Sequence, residues 1–423
     1  MKIKKRKMKG IFVIIDGVAD EKISALGDKT PLEAAKTPNL DEIAKKSEIN
    51  YCYPIKEGIA PESSSAIVSL FGYNPYLSPR GPLEALGVGA KMKKGDLALR
   101  CNFATIDDLK DGNILDARAG RNLTSTEAAI LAKAINQKVK LPNGFKFEFY
   151  SSIQHRGVLI IRGGFSDNIS NADPFYENGM AKGLTSPVKM VYAKSLDEED
   201  DSKLSAELVN SFVRQSFEVL DKHPVNMARA KKGFYKANII LCRDAGSDLP
   251  RFKKLRGKWM SLGYMPLEIG IGRAIGADVY RFKYPKLKNN DVYATLYEGL
   301  HKAIRYAKWM IWWNKRKYDY FYVHFKEIDV PGHDNKPSDK VKMIEILDKY
   351  FFSFLKKSMK DSKIIVTADH TTSCRKKAHT AEPVPVLIYN PAEIKEKEKR
   401  FTEIDGSKGR KIYGKNLLKN YLF

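Results

Sequence analysis

Cysteine is scarce: the 423 residues hold four, Cys52, Cys101, Cys242 and Cys374, with no paired spacing. That excludes a disulfide framework and a zinc ribbon, and it fits a reducing cytoplasm, the expected location. Long apolar runs are missing too. Nothing approaches the ~20 residues that span a bilayer, so no membrane association is expected. The basic first residues followed by Gly10–Ile15 imitate a leader, but Asp16 interrupts the run and no small-residue cleavage site follows. A buried first strand behind a basic tail is the reading that fits. Internal repeats and low-complexity tracts are absent, which excludes a solenoid or a fibre.

What is present is ordinary for a large globular chain, with 43% apolar and 29% charged residues. The length suits two or three domains. The net charge of +24 is the unusual bulk property. Such an excess suits a nucleic-acid partner or the capture of small anionic substrates. Here the lysines are spread along the chain with Asp and Glu between them, which favours a solvated lysine-rich surface, and nucleic acid is not the expected partner. One segment stands apart, residues 302–317, where Trp309, Trp312 and Trp313 sit among cations. Its aromatics read as core or interface residues rather than a stacking platform.

Gly10–Ile15 reads as a strand. Pro38 opens a helix that runs to about Ser47, with proline in its first turn. A further helix, 66–71, starts just after Ser63-Ser64-Ser65, and a Gly/Pro-rich passage at 79–89 follows. Between 97 and 164 the runs are short and strand-like: Leu97–Ile106, 145–150 and 157–162. Residues 195–203 read as an acidic loop and 206–220 as an amphipathic helix. Strands (237–243, 319–325, 363–368) then alternate with helices (292–312, 340–359). This alternation predicts a mostly parallel α/β sheet, with the middle of the chain as a separate α/β unit.

Several of the strand-like runs end in residues able to bind metal. Gly10–Ile15 leads to Asp16, 319–325 to Asp329 and His333, and 363–368 to Asp369-His370, with His379 nearby. Functional residues of open α/β sheets collect beyond the carboxyl ends of strands. Three of the seven histidines lie in these segments. Mixed Asp and His donors suit Zn²⁺ or Mn²⁺, with Co²⁺ and Mg²⁺ tolerated. Two metals about 4 Å apart are a standard device for phosphoryl transfer, and they let a serine attack without a dedicated base. Ser63, before a helix whose N–H groups favour a phosphate, is the candidate nucleophile. A serine there is also an ordinary helix cap.

The order of these segments resembles the archaeal-type cofactor-independent phosphoglycerate mutases, within the alkaline-phosphatase superfamily. The matching stretches are IIDGVAD (14–20), KTPLEAAKTPNLD (29–41), GIAPESSSAIVSLFGYNP (58–75), HFKEIDVPGHDN (324–335), TADHTTSC (367–374) and AHTAEPVPVLIY (378–389). Weaker echoes in the middle include DARAGR (116–121), HRGVLIIRG (155–163) and ANIILCRDAG (237–246).

The resemblance implies one metal held by Asp16, Ser63, Asp369 and His370, and a second by Asp329, His333 and His379. It implies that Ser63 takes up and returns a phosphoryl group, interconverting 3-phosphoglycerate and 2-phosphoglycerate without 2,3-bisphosphoglycerate. Arg118, Arg121, His155, Arg156 and Arg243 are the candidates for gripping the small phosphorylated substrate. The implied fold is a doubly wound, mostly parallel phosphatase-like domain (1–75 and 236–423) with a smaller inserted α/β domain (76–235). The alternative on the same residues is a metal-dependent phosphohydrolase, or a phosphomutase of another metabolite.

Four positions depart from the family pattern. Glu62 replaces a glycine and Ile67 an asparagine around the nucleophile; Phe175 stands for a histidine and Ile269 for a lysine. These changes are expected to shift the substrate or slow transfer unless neighbours such as Ser64 and Arg273 compensate. The oligomeric state is left open.

Overall fold

A computed structural model describes residues 8–423 apart from 78, 111, 178–179, 183, 185, 250–251, 287–290, 359 and 395. Residues 1–7 of the expected basic tail, and Met359 at the expected end of a helix, lie outside the described residues. Among the described residues eight strands form one sheet in the order Asp278–Arg281, Trp259–Gly263, Tyr320–Phe325, Gly10–Ile15, Lys363–Thr367, Val384–Tyr389, Glu48–Tyr53 and Lys411–Tyr413. Of these described strands only Val384–Tyr389 runs against its neighbours. This is the doubly wound, mostly parallel α/β sheet anticipated. Parallel neighbours need long crossovers, and strands covered on both faces read as unbroken apolar runs. Gly10–Ile15 and Tyr320–Phe325 are buried at every position.

A smaller second sheet is antiparallel throughout. Lys146–Ser151, Arg156–Arg162, Leu97–Ile106, Asn113–Asp116 and Val188–Lys189 lie in that order, and Ile239–Gly246 also pairs with Leu97–Ile106. The strand expected at 237–243 therefore belongs to this sheet and not to the large one. An apolar run alone does not name its partner; here Cys242 registers with Cys101 and Arg243 with Arg100. Alternation along Leu97–Ile106 then sorts its side chains. Leu97, Leu99, Cys101 and Phe103 enter the apolar core of the second sheet, while Ala98 packs with Ala85 on the other side.

Two helices differ from their expected extent. The acidic loop is in part the first turn of Asp200–Leu220, where Asp200 and Asp201 complement the positive end of the helix dipole. The helix expected at 340–359 starts at Pro337, and Asp348–Phe352 forms a π-turn within it. Asp348 sits at that turn because its carboxylate accepts from the Asn39 and Leu40 N–H groups, which open the helix Pro38–Lys45. Among the described residues no helix is long and apolar enough to cross a membrane.

Glu403 illustrates a cost of this packing. Its carboxylate accepts from the Asp20 N–H and the Thr30 hydroxyl, yet burial pushes its pKa up to about 7. A raised carboxyl binds more protons in the folded than in the unfolded chain between its ordinary value and about 7. Its contribution to stability is thus fully present at the acid end of that window and lost as pH rises through it. Urea midpoints should show a shallower decline over that range in Glu403→Gln than in the parent chain.

Candidate active site

Three adjacent strands of the large sheet deliver the residues singled out above. Parallel register sets Ile15 beside Phe325 and Ile14 beside Thr367, so the segments that follow emerge side by side at the carboxyl edge. Asp16, Asp369 and His370 are fully buried, and their ligand atoms lie within 4.8 Å of one another. Asp329, His370 and His379 form a second such group. His333 adjoins it, its Nε2 3.2 Å from Asp329 Oδ2 and 3.2 Å from His379 Nε2. The His370 and His379 rings stack at 3.6 Å, so the two groups meet along His370.

Ser63 opens the helix Ser63–Leu70, and its Oγ lies 3.1 Å from His370 Nε2. Ser65 instead donates its hydroxyl to the Glu62 carbonyl. Three consecutive serines are ambiguous in sequence; the geometry places the first against the cluster.

Burial alone would oppose ionisation of Asp16, but the Lys326 ammonium and the His324 and His370 rings hold its carboxyl well below the usual range. The Asp329 carboxylate raises His333 to about 9. Burial works against a charged His370, yet Asp369 and Asp16 lift it to about 9. His379 is lowered by burial and by His370. The site thus concentrates negative charge that its own imidazoles and one lysine neutralise.

That charge is left with few hydrogen bonds. Among the described residues Asp16 Oδ1 and Oδ2 and Asp369 Oδ2, all buried, make no regular hydrogen bond and face only the Lys326 ammonium and the His324 and His370 rings. Buried carboxylates without partners are costly unless they are ion-paired or coordinate a cation. Such oxygens beside imidazole nitrogens are the donor set of a borderline divalent ion, and the residues of both groups fit one.

Thr372 ties the groups together. Its hydroxyl donates to Asp329 Oδ1 at 2.7 Å and lies 2.9 Å from His370 Nδ1. A Cβ on Gly17, whose φ is +55°, would come within 2.4 Å of that hydroxyl and 2.5 Å of Asp329 Oδ1. Glycine is required there by both backbone and space. Thr372→Val keeps the shape and removes the hydroxyl. Divalent-cation affinity by calorimetry should fall about 10–100-fold, as for other partners of ligating groups.

The second sheet supplies the opposing wall. Arg243 is fully buried, with Nη1 2.5 Å from Asp173 Oδ2 and its guanidinium over the Tyr176 ring, while Nε and Nη2 have no hydrogen-bond partner among the described residues. His155 is buried with Nδ1 unpartnered among the described residues, and burial together with Arg156 and Arg118 depresses its pKa. Arg118 and Arg121 lie in a tight loop whose Ala119, Gly120 and Arg121 have positive φ. Asp116 holds it through the Arg118 and Gly120 N–H groups. Arg121 reaches across to Asp334, 3.0 Å away and next to His333.

Sequence reasoning missed two arginines of this wall. Arg80 and Arg100 flank the buried Glu84, at 2.7 and 3.2 Å. Against its burial they hold the Glu84 pKa down to about 2. Burial, with Arg243 and Arg80 close by, lowers Arg100 to about 9. So many crowded guanidinium groups favour the presence of an anion. Arg80 also comes 3.6 Å from Glu62, the residue before Ser63, linking this wall to the serine. The helix Arg80–Val88 can reach so close because Gly87 and Gly270 let its backbone touch the helix Pro266–Ala274.

His324, Lys326 and Thr372 were missed as well. Lys326 pairs with Asp16, and its Nζ lies 3.5 Å from Ser63 Oγ and 3.4 Å from Glu268. Its place just after a strand, three residues before Asp329, was a usable signal. The four departures fall apart in space. Glu62 lies between Arg80 and His379, whereas Ile67 packs in the large core and Phe175 in the smaller one. Ile269 is buried in the helix Pro266–Ala274. Arg273 is occupied with the Leu86 carbonyl.

A serine beside paired carboxylate–imidazole groups at a parallel-sheet edge, with buried arginines on the neighbouring sheet, is the arrangement of an α/β enzyme. Comparison with known proteins narrows this. A sequence model of 2,3-bisphosphoglycerate-independent phosphoglycerate mutase matches residues 44–226. The chain is 36% identical to the mutase of that name from Ignicoccus hospitalis over 429 residues, 98% of each chain. It is 37% identical to that of Aeropyrum pernix over 424 residues, 95% of each. A solved protein of Pyrococcus horikoshii matches 98% of this chain and 97% of its own at TM-score 0.73 and 30% identity. The cofactor-independent phosphoglycerate mutase of Thermoplasma acidophilum matches 98% and 99% at 0.57 and 27%. The chain belongs to the 2,3-bisphosphoglycerate-independent phosphoglycerate mutases, which are isomerases.

Proposed function

We propose that the chain interconverts 3-phosphoglycerate and 2-phosphoglycerate through a phosphorylated Ser63. The observation that carries this is the position of Ser63 Oγ, 3.1 Å from His370 where the two carboxylate–imidazole groups meet. Asp16, Ser63, Asp369 and His370 would hold one divalent ion, and Asp329, His333 and His379 another, with Mn²⁺ or Zn²⁺ suited to the mixed donors and Co²⁺ or Mg²⁺ tolerated. Bound there, the ions supply charge neutralisation and a more acidic serine hydroxyl.

Ser63 Oγ attacks the phosphorus, and the ester bond to glycerate breaks. The other hydroxyl of the same glycerate then attacks the phosphorus and the bond to Ser63 Oγ breaks; the serine regains a proton from that hydroxyl in exchange for the one it gave the first leaving oxygen, so the phosphoryl group changes position and nothing is gained or lost. The Lys326 ammonium offsets charge on the transferring oxygens. Arg118, Arg121, His155, Arg156 and Arg243, joined by Arg80 and Arg100, grip the carboxylate and keep glycerate in place between the two steps, since guanidinium forks bind such groups bidentately. The division into a core (1–75, and again from near 247) and an inserted unit fits this role. The inserted unit differs from the 76–235 first expected in taking in the strand Ile239–Gly246. Closure between them would exclude water, which protects phosphoserine from hydrolysis.

The test supplies 3-phosphoglycerate and Mn²⁺ and follows 2-phosphoglycerate and free phosphate together. Isomerisation with little phosphate release is expected. Phosphate release alone would make the chain a phosphohydrolase, and neither product from the metal-loaded protein would point to another phosphometabolite.

A further inference from the structure

The helix Val292–Asn314 buries Leu300, Ala303, Ile304, Ala307, Met310 and Ile311 against the large sheet. Its last turns do the opposite. Trp309 and Trp312 are each 49% exposed and Trp313 is 65% exposed, whereas the remaining tryptophan, Trp259, is 2% exposed in the core. At spacings of three and four residues the three indoles share one helical face. The rings are held in place: Trp309 stacks on Tyr280 at 5.3 Å and meets Trp313 at 6.3 Å. Lys315 Nζ lies 3.5 Å from the Trp312 ring centre. Of the core or interface role expected for these aromatics, the core half does not hold, and an occupant is to be sought outside the chain.

Charge identifies its class. Residues 299–318 contain six lysines and arginines and no Asp or Glu. The nearby Asp278 carboxylate is engaged by the Tyr318 hydroxyl at 2.7 Å and by Lys258 at 3.7 Å. A second copy meeting this face about a two-fold axis would set cation against cation. A bilayer would be met by exposed aliphatic groups, yet among the described residues the large apolar side chains exposed on this helix are the three tryptophans alone. Aromatic faces interleaved with cations, without aliphatic groups, match a flexible polyanion carrying stackable rings.

We propose that the Trp309–Trp312–Trp313 face binds single-stranded nucleic acid. The bases stack on the indoles, and the phosphates pair with Arg305, Lys308, Lys315 and Arg316. The helix leads straight into Tyr320–Phe325, so this face lies at the amino edge of the sheet, opposite the active site. Binding there leaves the active site uncovered. The chain's +24 charge supplies the long-range attraction.

Fluorescence anisotropy of a labelled oligouridylate against the full chain tests the proposal. Saturable binding that quenches tryptophan emission is expected. Its affinity should fall steeply between about 50 and 200 mM salt. Trp312→Ala/Trp313→Ala should weaken it at least ~10-fold, and Lys315→Glu/Arg316→Glu should flatten the salt dependence, both with isomerase activity unchanged as the check on folding. Oligonucleotide binding unaltered in both variants would overturn the proposal. So would binding to anionic phosphatidylglycerol vesicles without binding to oligouridylate, or a dimer in sedimentation that the tryptophan variant dissolves.

Discussion

Ser63→Ala is expected to reduce isomerisation by roughly 10⁵-fold, the scale on which an enzyme suffers when its nucleophile is removed. Ser64→Ala and Ser65→Ala should cost far less. The difference rests on geometry: Ser63 Oγ is 3.1 Å from His370 Nε2 and 3.5 Å from Lys326 Nζ, while the Ser65 hydroxyl is spent on the Glu62 carbonyl. Mass spectrometry of protein quenched during turnover should find the phosphoryl group on the peptide containing Ser63 and on no other serine of the run. A phosphopeptide mapping to Ser64 or Ser65, or a Ser63→Ala enzyme within tenfold of the parent, would remove Ser63 from the reaction.

The second large effect is on stability. Lys340 and Asp20 have no solvent exposure in their side chains, and their charges lie 2.9 Å apart. The ammonium also donates to the Ala19 and Thr372 carbonyls at 3.2 and 2.8 Å, and the Asp20 carboxylate accepts from the Cys374 N–H. This pair fastens the loop after the first strand to the segment carrying Thr372, beneath the active site. Removing one partner of a buried pair leaves the other charge uncompensated, which typically costs about 3–5 kcal/mol. Lys340→Met should show that loss in urea unfolding, and adding Asp20→Leu should return part of it, because two apolar groups leave no stranded charge. A Lys340→Met chain within about 1 kcal/mol of the parent would show that the pair is replaceable.

Neither Lys340 nor Asp20 stood out in the sequence. Each is one charge among many, and burial of a charge becomes visible only when the loop and helix around it are assembled. Asp16, Asp329, His333, Asp369, His370 and His379 did stand out, because each follows a strand-like run and parallel strands release their successors at one edge. The legible part of the site was therefore the part set by local chain order. Arg80 and Arg100 were not legible. Arg100 lies inside an apolar run, and its companion Arg243 comes from a strand that seemed destined for the other sheet.

The sequence by itself determined the alternation of strands and helices, and hence a mostly parallel sheet with a cluster of carboxylates and imidazoles at its carboxyl edge. It determined this because hydrophobic period and turn residues are local properties. Only the tertiary structure decided which serine of three faces the cluster and that Ile239–Gly246 pairs with Leu97–Ile106. It alone buried Arg80 and Arg100 around Glu84 and brought Arg80 to Glu62, the neighbour of Ser63, and it left three tryptophans facing solvent. Those outcomes depend on strand register and on which face of each element finds a partner, and both are settled by contacts between residues far apart in the chain.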